Sequence, residues 1–183
     1  LENNRGNNEN EFACDYLTVN PLMGEDCLDP FVEIALKNNK GLFILLETSN
    51  PGAEMILKAS LASGEKVNSK IAAYINTLNH KHSLNTSEIS PIGCVIGATN
   101  TSAKYWRKQL PNSLFLMPGI GAQGGSWDAV KSALTPNSDG VWVPISRGIT
   151  APSNLNISTA NYLNDVGKKL NNFFIEIENI KLS

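Results

Sequence analysis

The feature that most constrains this chain is an alternation. Nearly continuous apolar segments recur, separated by segments whose apolar residues repeat every three to four positions. "GLFILLET" (Gly41–Thr48), "IGCVIGA" (Ile92–Ala98) and "SLFLMP" (Ser113–Pro118) have no polar alternation, the pattern of strands buried on both faces. "DYLTVNP" (Asp15–Pro21) and "GVWVPIS" (Gly140–Ser146) read as two further strands. Between them, Phe31, Val32, Ala35 and Leu36 are spaced for a helix, and so are Ile71, Ile75 and Leu78. "TSAKYWRKQL" predicts a helix with Ala103, Trp106 and Leu110 inward and Thr101 or Asn100 as cap; "SWDAVKSAL" predicts a short helix capped by Ser126. From about Ile157, the residues Ala160, Leu163, Val166, Leu170, Phe173 and Ile177 repeat at three to four and predict a long terminal helix.

Five β/α units in succession require a parallel sheet covered by helices. A doubly wound open sheet and a (β/α)8 barrel both satisfy the pattern. A dinucleotide fold needs G-x-G-x-x-G after its first strand, and none stands there. The unusual residues cluster after the C-terminal ends of the late strands, where barrels build phosphate sites.

Composition narrows the function. The 183 residues are 42% hydrophobic and 17% charged, enough for one globular domain with its own core. A formal charge of −2 supplies no basic field for a nucleic-acid backbone. No apolar run approaches the ~18 residues of a membrane span, and no signal-peptide pattern opens the sequence. Cys14, Cys27 and Cys94 lack metal-ligand spacing, so free thiols in a cytoplasmic protein and no metal site are expected. His80 and His82 read as solvated loop residues. The Asn-rich first residues, 1–12, are expected to form a mobile arm, with 13–183 as the folded part.

Parallel strands point their C-termini to one rim, so "TVNPLMG", "ETSNPG", "PGIGAQGG" and "SRGI" should converge. In "PGIGAQGG" (Pro118–Gly125), glycines permit positive φ and expose backbone N–H groups to a ligand, and Gln123 offers an amide. Arg147, one residue past a strand, needs an anion, either a phosphate or a carboxylate of the protein, and Gly148 frees a backbone N–H beside it. Thr48 and Ser49 present hydroxyls at a strand end, or simply make a local turn. Asn20 closes its strand, and Asn50 is read as a helix cap or turn residue.

Five motifs, in order, resemble orotidine 5′-phosphate decarboxylase, the family that makes UMP: "TVNPLMG" (Thr18–Gly24), "TSNPG" (Thr48–Gly52), "VIGAT" (Val95–Thr99), "PGIGAQGG" and "SRGI" (Ser146–Ile149). They span roughly residues 13–150. The resemblance implies a (β/α)8 TIM barrel of which this chain supplies about five units, strands four to eight. It also implies a homodimer, and decarboxylation of orotidine 5′-phosphate to UMP without metal or organic cofactor. By position, Gln123, Arg147 and Gly148 would hold the 5′-phosphate. Ser49, with Thr48 beside it, would bond the pyrimidine edge, and Pro118 would pack against the base.

The family runs its chemistry with a Lys-Asp array carried largely by a D-x-K-x-x-D segment, and that segment is absent from this sequence. "ENNRGN" (Glu2–Asn7) overlays it only with asparagines at the lysine and the second aspartate. Lys58, Lys104 and Lys131 are expected on helices away from the rim. The expectation is therefore a chain that carries the binding rim and no catalytic residue, completed by N-terminal strands from elsewhere. Its alternative is a non-catalytic relative that binds a pyrimidine nucleotide or a partner chain. Orotate phosphoribosyltransferase is a further possible partner.

Overall fold

A computed structural model of the chain describes residues 14–82, 88–121, 123–152, 154 and 156–181. The expected arm, 1–12, lies outside the described residues. The strands are β1 (Tyr16–Val19), β2 (Gly41–Glu47), β3 (Ser90–Ile96), β4 (Ser113–Leu116) and β5 (Val141–Trp142). The helices are α1 (Glu25–Lys37), α2 (Ala53–Leu57), α3 (Val67–His82), α4 (Ala103–Gln109), α5 (Trp127–Ala133), α6 (Arg147–Thr150) and α7 (Thr159–Lys181). All four strand pairings are parallel, and the order in the sheet is the order in the chain.

That order chooses between the two architectures the sequence allows. Crossovers of one hand between successive neighbours put every helix on the same face, whereas a doubly wound sheet reverses direction. The two faces are filled accordingly. Leu42, Ile44, Leu46, Ile92, Cys94, Ile96, Phe115 and Met117 face the helices and join one large core with Val32, Ile75 and Trp106. Phe43, Val95 and Leu114 point the other way and pack with Tyr16, Leu45 and Leu116.

Curvature is shown by the aromatic residues of that inner face. Tyr16 on β1 and Trp142 on β5 belong to opposite edges of the sheet, which would lie ~19 Å apart if it were flat. Their ring centroids are 4.9 Å apart, and both rings touch Phe43. The sheet is rolled, five strands of a partial barrel. Gly41 and Gly93 permit the roll: a Cβ at Gly41 would meet the Tyr16 ring at 2.1 Å, and one at Gly93 would meet the Leu114 carbonyl at 2.2 Å.

Some expectations are corrected. β5 is two residues long rather than Gly140–Ser146, because its ladder is made with β4 alone. Ser126 does cap α5, accepting from the Asp128 N–H. At α4, however, the cap position belongs to Ser102, whose hydroxyl donates to Glu47 instead; Asn100 donates to the Glu47 carbonyl. His80 and His82 lie on the last turn of α3, not in a loop. The long terminal helix is α7; of its apolar repeat, Val166, Phe173 and Ile177 are partly covered and Ala160, Leu163 and Leu170 are exposed, while Tyr162 donates to the Thr150 carbonyl.

Candidate active site

The rim is assembled from strand ends. "ETSNPG" continues β2, "VIGAT" ends β3, "PGIGAQGG" follows β4, and "SRGI" leads from β5 into α6. Gly97 makes the first junction possible. A Cβ there would lie 2.7 Å from Ser49 Cβ and 2.9 Å from its nitrogen, so only glycine lets the Ser49 backbone pass so close to β3. Ser49 then reaches across to the next loop, where its hydroxyl donates to Gln123 Oε1 at 2.9 Å. Residues 74 positions apart are thus joined, and the Gln123 amide nitrogen is left to donate elsewhere.

The glycine loop is built by conformation and close packing. Gly119, Gly121 and Gly124 have φ of +118°, +81° and +72°, in the region where a side chain is strained. Gly125 folds back so that a Cβ would meet the Gly119 carbonyl at 2.7 Å and Ala98 Cβ at 2.9 Å. This corrects the expectation that the glycines chiefly expose N–H groups. The Gly124 and Gly125 N–H groups are spent inside the loop, on the carbonyls of Gly121 and Gly119.

The two late loops meet backbone to backbone. A Cβ on Gly121 would stand 3.3 Å from Gly148 Cα, and Phe173 of α7 packs behind both glycines. Arg147 opens α6 and is exposed, and among the described residues no carboxylate pairs with it. The carboxylate alternative for this arginine is therefore unsupported. Gly148, in the first turn of α6, has an N–H with no acceptor within the helix. Pro118, partly buried, accepts from the Ala98 N–H and ties the β3 and β4 ends together.

Thr48 does not join this group. Its hydroxyl donates to Asn50 Oδ1, and both residues line a separate, mainly apolar cavity of about 420 Å³ with Asn20, Leu45, Ile71 and Tyr74. Asn50 does not cap α2, whose cap position is Gly52. Asn20 accepts from Leu22 N–H and caps the 3₁₀ turn after β1. Lys58 also differs from expectation. It follows α2, and its Nζ comes within 3.8 Å of Glu47 Oε1 at the end of β2. The approach is from the helix layer, because Glu47 Oε2 is held by Ser102 and by the Trp106 indole of α4. Sequence reasoning missed roles for Glu47 and Gly97, and it placed Phe173 only in the stripe of the terminal helix. Only Gly97 left a signal, as a glycine directly after a buried strand.

A model of the "Orotidine 5′-phosphate decarboxylase / HUMPS family" matches residues 5–156. The orotidine 5′-phosphate decarboxylase of Rhodopirellula baltica is 40% identical over 139 residues, covering 75% of this chain and 45% of the relative. That of Clostridium botulinum strain Langeland is 39% identical over 141 residues, covering 77% and 49%. The chain thus matches about half the length of these curated relatives. Among solved structures, the UMP synthase of Leishmania donovani is 27% identical with a TM-score of 0.62, covering 85% of this chain and 32% of that one. The OMP decarboxylase of the same organism has a TM-score of 0.66, covering 92% and 57%; at 22% identity it speaks for the fold alone.

Proposed function

The chain belongs to the orotidine 5′-phosphate decarboxylase / HUMPS family, and on that premise we propose that the complete protein decarboxylates orotidine 5′-phosphate to UMP and CO2. In this reading the present chain supplies the substrate-binding rim. Gln123, Arg147 and the Gly148 N–H hold the 5′-phosphate. Ser49, with Thr48 preceding it in the chain, bonds the pyrimidine edge, and Pro118 packs beside the base.

The observation that carries the reading is the Ser49–Gln123 hydrogen bond. It couples the residue proposed for the base to a residue proposed for the phosphate, across two strand ends. With its oxygen occupied by Ser49, Gln123 turns only its NH2 donors toward an anion. The contact of Gly121 with Gly148 brings the other half of the grip alongside.

The chemical contribution of these residues is positioning. A phosphate held remotely can use its binding energy to orient and distort the reacting centre. Protonation of the carbon that loses CO2 is assigned to a lysine of a D-x-K-x-x-D segment, a pattern that does not occur in the 183 residues. That assignment places the catalytic array in other strands of the complete barrel. A homodimer, a cytoplasmic location and association with an orotate phosphoribosyltransferase belong to the same proposal. No helix among the described residues is long and apolar enough to cross a membrane.

Calorimetric titration of the full-length protein with UMP tests the rim. Arg147→Ala should weaken binding at least about tenfold, since a charged bidentate contact is worth roughly 1.5–3 kcal/mol. Unchanged affinity would remove the phosphate assignment. The 183-residue chain alone should form no UMP. A full-length protein that binds UMP yet turns over no substrate would be the non-catalytic relative instead.

A further inference from the structure

A second cavity, of about 400 Å³, lies in the helix layer beside the C-terminal end of β2; Glu47, Lys58, Lys66, Asn68, Ser69, Ser102, Tyr105 and Trp106 line it. One feature of it is unsatisfied. Asn68 is 5% exposed, and its Oδ1 has no hydrogen-bond partner. A buried orphan acceptor costs free energy unless something in the cavity donates to it.

The opposite requirement stands on the same turn. Asn68 and Ser69 are the second and third residues of α3, a sixteen-residue helix with no acidic residue in its first turn. Their N–H groups have no acceptor within the helix, and the helix dipole adds partial positive charge. Lys66 precedes the helix, and among the described residues no carboxylate pairs with it. Lys58 is already bonded to Glu54 at 2.7 Å. Glu47 also lines the cavity, with its Oε1 3.8 Å from Lys58.

The walls therefore ask for a carboxylate-sized anion at the α3 terminus and a hydrogen-bond donor for Asn68 Oδ1 and Glu47 Oε1. Both requirements are set by residues lining one cavity. A phosphate dianion meets the first and not the second, since it offers no donor and would face the Glu47 carboxylate. We propose that this cavity binds a free α-amino acid. Its carboxylate sits on the α3 N-terminus beside Lys66, and its ammonium donates to Asn68 and Glu47. Its side chain lies along the exposed Tyr105 ring. The site is separate from the proposed nucleotide site and does not depend on it.

The test uses the full-length protein and the proteinogenic amino acids, by saturation-transfer NMR and calorimetry. At least one should bind with a dissociation constant below about 10 mM. Its N-acetyl derivative and its decarboxylated amine should bind at least about tenfold more weakly, each lacking one charged contact. Asn68→Leu should weaken binding about tenfold or more, and Lys66→Ala by a smaller factor. If circular dichroism shows Asn68→Leu unfolded, Lys66→Ala and the two derivatives carry the comparison. Saturating UMP should leave the amino acid bound. Binding of no amino acid, equal binding of the N-acetyl derivative, or preferred binding of inorganic phosphate would each overturn the proposal.

Discussion

Gly97→Ala perturbs the rim at a position that touches no proposed ligand. The new Cβ would fall 2.7 Å from Ser49 Cβ, 2.9 Å from its nitrogen and 3.1 Å from its Cα. Ordinary carbon contacts need 3.5–4.0 Å, so the Ser49 backbone must retreat by about 1 Å. Gly97 N–H is bonded to the Glu47 carbonyl at 2.8 Å, which holds β3 in place and leaves the displacement to the Ser49 loop. A shift of that size carries the Ser49 hydroxyl out of range of Gln123 Oε1, now 2.9 Å away. Losing that bond should weaken UMP binding about fivefold, for roughly 1 kcal/mol. The misplaced Ser49 should lower kcat/KM further, by up to about a hundredfold in total. Overpacking should reduce stability by about 1–3 kcal/mol. The assay is calorimetric titration with UMP, steady-state kinetics and urea unfolding on the full-length protein. Gly167→Ala is the control, because a Cβ there meets nothing within 4 Å and should raise stability by about 0.5–1 kcal/mol. If Gly97→Ala keeps wild-type affinity and kcat/KM, the argument that this glycine positions Ser49 is wrong.

At the other end of the sheet, Arg107 donates to the carbonyls of Ala133, Leu110, Pro111, Ser113 and Gly140 and stacks 3.7 Å from the Phe115 ring centroid. Burial lowers its pKa to about 10, so it is still charged at neutral pH. Arg107→Met should cost about 3–5 kcal/mol in urea unfolding, and Arg107→Lys somewhat less, because Lys lacks the fork; a loss under 1 kcal/mol would mean these carbonyls find other donors. EDTA should leave the decarboxylation rate of the full-length protein unchanged; a loss restored by a divalent cation would contradict a metal-free site.

Periodicity and residue type were sufficient for a parallel β/α chain, because burial on two faces demands continuous apolar strands and burial on one demands a helical stripe. They also marked Ser49, Gln123, Arg147 and Gly148, since glycines and lone polar groups at strand ends have few structural uses. What they left open needed distances. The choice of barrel over open sheet lay in strand order and in the contact of Tyr16 with Trp142, which joins the two edges of the sheet. The exposure of Leu163 and Leu170 depended on which stripe of α7 meets α5 and α6, and one apolar stripe looks much like another in sequence. Tertiary structure alone parted Thr48 from Ser49. β2 has ended and the chain bends at Ser49, so Thr48 bonds Asn50 and lines an apolar cavity while Ser49 reaches Gln123. Local patterns report what each residue can do, and packing decides which of its neighbours it does it with.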